Sequence, residues 1–251
     1  MPVVPFPAST QSLLDEATAL TGRSFDIVFD ASLPVVSSVR IGGREGRENH
    51  EIVLRVPGDE NNYLIAWQAA FVLHQYRTPE TERTNLQPNA AYLASVKNEL
   101  LTMHPGIPLG QREAFTDHVI GGVLTQLRSV PIGMLIDIHL HREYAELHAV
   151  QQQSLVNQVV EHIACLQLTP DMFPRTLVRA NQVMNATQAL MVAELFDMPG
   201  IFEPYRTVGM EAAAAILLEP CMQQIFDDTS DRELIDSWGR NLGIEKWYRW
   251  V

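Results

Sequence analysis

Apolar residues recur at helical spacing near the start of the chain, where Leu13, Leu14, Ala17 and Leu20 share one face of a helix from about Gln11 to Leu20. Ser9-Thr10 suits its cap and Gly22 its stop. The period then shortens. Phe25–Phe29 alternates and ends at Asp30, Val35–Ile41 reads as a second strand, and Glu51–Val56 as a third, closed by Pro57-Gly58. Gly42-Gly43-Arg44-Glu45-Gly46 is the loop between the second and third. Asp59 and Glu60 favour a helix start, as cap and as first-turn negative charge. The helix they open carries residues 63–76, YLIAWQAAFVLHQY, and ends before Pro79.

Beyond Pro79 strand signals fade. Helical periodicity appears at about 89–103, 111–128, 131–148, 150–167, 174–196, 205–226 and 230–240, punctuated by Pro105-Gly106, Pro131, Pro170, Pro174 and Pro199-Gly200. The pattern predicts an α+β, predominantly helical protein: a small front of helix, short sheet and helix, then a helical bundle. Asn85–Asn89 is the best candidate boundary, dividing residues 1–85 from an all-helical 86–251, with one continuous domain as the alternative. No repeat of fixed period interrupts this layout.

The chain has 251 residues, 46% hydrophobic and 19% charged, enough to bury a substantial core. Its formal net charge of −12 argues against nucleic-acid or anionic-membrane partners, which require clustered cations. Cys165 and Cys221 form no CxxC pair and suit small buried positions. Prolines at 2, 5 and 7 break any leader-like apolar stretch, and no run approaches the roughly eighteen apolar residues of a membrane span. The expectation is an acidic, cytoplasmic, bacterial protein.

Chemistry enters at 63–76. Two histidines at i and i+4 place both imidazoles on one helical face toward one zinc, and the glutamate after the first activates the bound water. Laid on that H-E-x-x-H pattern, the segment reads Trp67-Gln68-Ala69-Ala70-Phe71. The strand Glu51–Val56, the Pro57-Gly58 turn and the apolar helix from Asn62 resemble the approach to the catalytic helix in bacterial zincin-like, metallopeptidase-like domains. That resemblance covers residues 10–78 and implies a scaffold whose metal ligands are gone. Trp67 and Phe71 cannot ligate zinc, Gln68 has no useful basicity, and a downstream side chain would have completed the site. No catalytic residue, metal or cofactor is carried over. A buried amphipathic helix with Leu64, Trp67, Phe71 and Val72 facing the core is the plainer reading.

Other constellations are weaker. Asp137, His141, Tyr144 and His148 fall on one stripe of the helix expected at 131–148, where His141 and His148 would stand about 10 Å apart, too far to share an ion. His74 lies on the face of Trp67 but alone. Together His74, Asp137, His141 and His148 are the candidate polar site of a metal-dependent hydrolase. Gln158–His162 falls one histidine short of H-x-x-E-H. The tail, Trp238 and then Lys246–Val251, holds three of the four tryptophans and suits a capping element folded on its own core, with a homodimer contact as the alternative. The leading expectation is a catalytically inactive metallopeptidase-like protein with a binding or regulatory role toward an unknown protein partner. The alternatives are the hydrolase and a structural or assembly subunit.

Overall fold

A computed structural model describes residues 6–44, 46–79, 85–224, 226 and 230–251. Pro2, Pro5, Glu45 and the last residues of the helix expected at 205–226 therefore lie wholly or partly outside the described residues. The fold is α+β and predominantly helical. In chain order it runs α1 (Ala8–Thr21), β1 (Phe25–Phe29), β2 (Ser37–Arg40), β3 (His50–Leu54) and α2 (Asn61–Arg77). Then come β4 (Leu86–Pro88), α3 (Ala90–Met103), α4 (Arg112–Glu143), α5 (His148–His162) and α6 (Arg175–Leu195). It closes with α7 (Glu203–Thr207), α8 (Glu211–Gln223), α9 (Asp231–Leu242) and β5 (Tyr248–Trp250).

Two compact units emerge. The first draws on Met1–Arg83 and Ile136–Leu155, the second on Thr84–Leu135 and Val156–Val251. In the first, β3 is the central strand, parallel to β1 and antiparallel to β2, in the order β1-β3-β2. Ile52, Val53 and Leu54 of β3 are fully buried, as are Leu13 and Ala17 of α1. The apolar faces of α1 and α2 pack on each other. Leu20, expected on that face, is 47% exposed. The expected caps also differ: Pro7 precedes α1 and Glu60 precedes α2, neither with a side-chain cap bond, while Ser9 N–H donates to Glu146.

His50 locks the base of this sheet. Its ring is fully buried, with Nδ1 accepting from Gly42 N–H at 3.1 Å and Nε2 3.1 Å from Thr21 Oγ1. Since Gly42 can only donate, Nδ1 carries the lone pair and Nε2 the proton. Burial, and then the Arg23 charge, hold this imidazole below its ordinary range.

Pro131 does not end a helix. The two helices expected at 111–128 and 131–148 are one continuous α4, and the ring is accommodated at the cost of the N–H that would bond the Leu127 carbonyl. Continuity also alters the membrane-span expectation. The helical stretch Leu109–Glu143 is long and apolar enough to qualify by composition, with an 18-residue window of mean hydropathy 1.5, half of it buried in the fold. Arg128 sits inside this helix.

In the second unit the tail folds back. Trp247 and Tyr248 are 2% and 6% exposed, and β5 pairs antiparallel with β4. Asp236 on α9 accepts from Tyr248 Oη–H at 2.8 Å and Trp250 Nε1–H at 2.9 Å. Gly239 makes room for this. A Cβ there would stand 3.1 Å from Tyr248 Cε1 and closer still to the hydroxyl. Gly239→Ala is therefore expected to lower stability by about 1–3 kcal/mol, the usual range for overpacking, in thermal or urea melts. Unchanged stability would show that Tyr248 yields its place freely.

Candidate functional site

Helix α2 presents two faces with different tasks. Gln68 is buried on the sheet side, where its Nε2–H donates to Ser37 Oγ of β2 at 2.9 Å. Trp67 and Phe71, one turn apart, are half-exposed and stack with ring centroids 5.9 Å apart and planes 5° from parallel. They do not enter the core as the plainer reading expected, whereas Leu64 and Val72 do. His74 is 3% exposed, and its carbonyl accepts both Thr78 donors at the helix end.

Facing this stack is Asp137, near the C-terminal end of α4. Its carboxyl accepts Tyr63 Oη–H at 2.6 Å and the Trp67 indole N–H. Its backbone carbonyl accepts Gln151 Nε2–H at 2.8 Å. Asp137 is 4% exposed and Tyr63 1%. Burial raises the Asp137 carboxyl to about 7, against the opposing pull of the Tyr63 and Trp67 donors. Both partners are neutral, so neither supplies a counter-charge. Burial, and next the Asp137 charge, push the Tyr63 hydroxyl well above its ordinary range, so it remains a donor.

The polar stripe does not lie on one helix. Helix α4 ends at Glu143, Tyr144 leaves helical geometry at φ −129° and ψ 70°, and a 3-10 turn, Ala145–Leu147, leads into α5. The reversal brings His141 and His148 face to face, with ring centroids 4.3 Å apart and planes 13° from parallel. The separation of two helical turns expected from sequence is thus replaced by direct stacking. His148 Nε2–H donates to the His141 carbonyl at 2.6 Å, capping one of the carbonyls that the end of α4 leaves open. His139 instead meets Tyr144 edge-on at 5.8 Å.

Among the described residues no three His, Cys, Asp or Glu side chains converge to hold a metal. His74, Asp137, His141 and His148 are accordingly not gathered into one ligand set. Gln158 and His162 both bond to Gln188 of α6, at 3.3 and 3.2 Å, which satisfies the near-motif as a helix-packing contact. Cys221 is buried and Cys165 partly so, and burial raises both thiols.

Sequence reasoning missed Tyr63, Gln151 and Ser37, each of which acts through tertiary contact with a residue distant in the chain. It also missed a cavity of about 510 Å³ beside the N-terminus of α2, with Arg55, Asp59, Glu60, Leu64, Val150 and Gln153 on its walls. No protein-family model, curated protein or solved structure matches the chain.

Proposed function

We propose that the first unit is a metallopeptidase-like scaffold without catalytic function, and that the protein acts through binding or regulation. The observation that carries this reading is the stack of positions 67 and 71 together with the bond from position 67 to Asp137. The two positions stack one turn apart on α2, and position 67 reaches a carboxyl on a later helix. A zincin site needs the same relation, two ligands on one helical face and a further donor from downstream. Here an indole and a phenyl ring fill that face. Gln68, where the general base would be, is spent on Ser37, and the carboxyl serves as an acceptor for Tyr63 and Trp67.

A binding role also draws support from the cavity at the α2 N-terminus, whose volume is that of a ligand-sized pocket with mixed polar and apolar walls. The hydrolase alternative has less support, because among the described residues its histidines and carboxylate do not converge as a ligand set, and the Asp137 carboxyl is taken up by Tyr63 and Trp67.

The test is metal analysis of protein purified without a histidine tag. Wild-type protein is expected to hold no stoichiometric zinc, whereas the combined variant Trp67→His, Gln68→Glu, Phe71→His should take up about one zinc per chain. One zinc per wild-type chain would overturn the inactive reading. A well-folded variant that takes up none would overturn the zincin register.

A further inference from the structure

We propose that the cavity of about 510 Å³ at the start of α2 binds an α-amino acid with a large apolar side chain. Arg55 takes the carboxylate, Asp59 the ammonium, and Val36, Val56, Leu64 and Val150 the side chain. This deepens the binding reading above and rests on it. The site is built entirely within the first unit. Arg55 N–H donates to the Val36 carbonyl at 3.0 Å, which carries the β2–β3 pairing one step past the ends of both strands. Residues opposed in this way project to the same face of a sheet, so Val36 and Arg55 reach the cavity together. Asn61 N–H donates to the Gly58 carbonyl at 3.2 Å and closes the turn that sets Asp59 on the wall. Leu64 enters from α2 and Val150 from α5.

The chemistry of the walls selects the ligand. Val36 and Val56 are 40% and 57% exposed, and with Leu64 and Val150 they form an apolar lining that an apolar side chain would cover. Arg55 and Asp59 carry opposite charges, and among the described residues no ion pair joins them although both stand on the wall. A molecule with a carboxylate and an ammonium on one carbon answers both. An anion alone would meet the repulsion of Asp59, and a cation alone that of Arg55. The planar guanidinium of Arg55 also suits a carboxylate, which it can hold by two parallel hydrogen bonds. Glu60 follows Asp59 on the wall but is engaged within the protein, so the ammonium is assigned to Asp59.

Titration of the full chain with L-phenylalanine, followed by amide chemical shifts, tests the site. Saturable binding with a Kd of about 1 mM or tighter is expected, with the shifts centred on residues 55–64 and 149–153. Glycine, which lacks the apolar side chain, should bind about tenfold more weakly or worse. Phenethylamine lacks the carboxylate and phenylpropionate the ammonium, and each should lose about threefold or more against the wild-type chain. Each loss should trace to one residue. Arg55→Gln should bind phenethylamine and phenylalanine within about twofold of each other, and Asp59→Asn should do the same for phenylpropionate and phenylalanine. Both positions are exposed, so both variants should keep the fold, which their amide spectra verify. No saturation by about 20 mM phenylalanine, or shifts centred elsewhere, would overturn the proposal. So would deletion ligands that bind the wild-type chain as tightly as phenylalanine, or a discrimination that survives in the variants. Zinc on the wild-type chain bears on the inactive-scaffold reading alone, so the two failures are told apart by separate measurements.

Discussion

At about pH 8, Asp137→Asn is expected to stabilise the first unit by as much as about 4 kcal/mol relative to wild type, and at about pH 4 the difference should close. The sign comes from the direction of the carboxyl's displacement. Burial raises Asp137 from 3.8 to about 7 in the folded protein. Below about 4 the folded and unfolded chains both hold this proton, and its contribution to stability is complete. As pH rises from there to about 7, the unfolded chain releases the proton while the folded chain keeps it, so stability falls through that window. Above about 7 both are ionised and the loss is complete. Asparagine keeps an oxygen for Tyr63 and Trp67 and has no proton to lose. Exchange of the α2 and β3 amides across this pH range measures the effect within the unit, and a wild-type-to-variant difference that does not change with pH would refute it.

That dependence was invisible in the sequence for a physical reason. Asp137 looks like any acidic residue in a helical stretch, and its raised proton affinity comes from burial in the tertiary fold, against the pull of Tyr63 and Trp67, which lie about seventy positions away. What was legible depended on local pattern. Alternation marked Phe25–Phe29 to the residue, and apolar periodicity located α2, α3, α6 and α9 to within a few positions. Where local rules misled, tertiary contacts explain why. Pro131 carries a strong break signal, yet α4 continues through it with Ile132, Met134 and Leu135 buried. Tyr144-Ala145-Glu146-Leu147 carries none, yet the chain turns there, stabilised by a histidine ring on a carbonyl seven residues back. The short β4 and β5 were missed because each gains strand character only by pairing with the other across the length of the second unit. Trp67 and Phe71 were located as a pair on one helical face, but their half-exposure and the bond from Trp67 to Asp137 are tertiary features that could not be read from spacing.

The second unit has its own keystone in Trp238, and Trp238→Ala is expected to cost about 3–5 kcal/mol. The indole is fully buried, and its Nε1–H donates to the Leu217 carbonyl of α8 at 3.1 Å. Truncation removes a large apolar surface, leaves a cavity, and deprives that carbonyl of a partner in a dry setting. The position also governs the returning tail. Helix α9 buries Leu234, Ile235, Trp238 and Leu242 on one face, is capped by Ser230 at one end, and ends in Gly243 at φ 72°. It also carries Asp236, which receives Tyr248 and Trp250 of that tail. Loss of the indole should therefore lower amide protection in α8, α9 and β5 together. Trp238→Phe retains most of the ring and gives up only the N–H, for a smaller loss of about 1–2 kcal/mol. If the alanine variant loses less than about 1 kcal/mol, or if β5 stays protected while α9 opens, the tail is held by β4 alone and Trp238 is not the residue that fixes it.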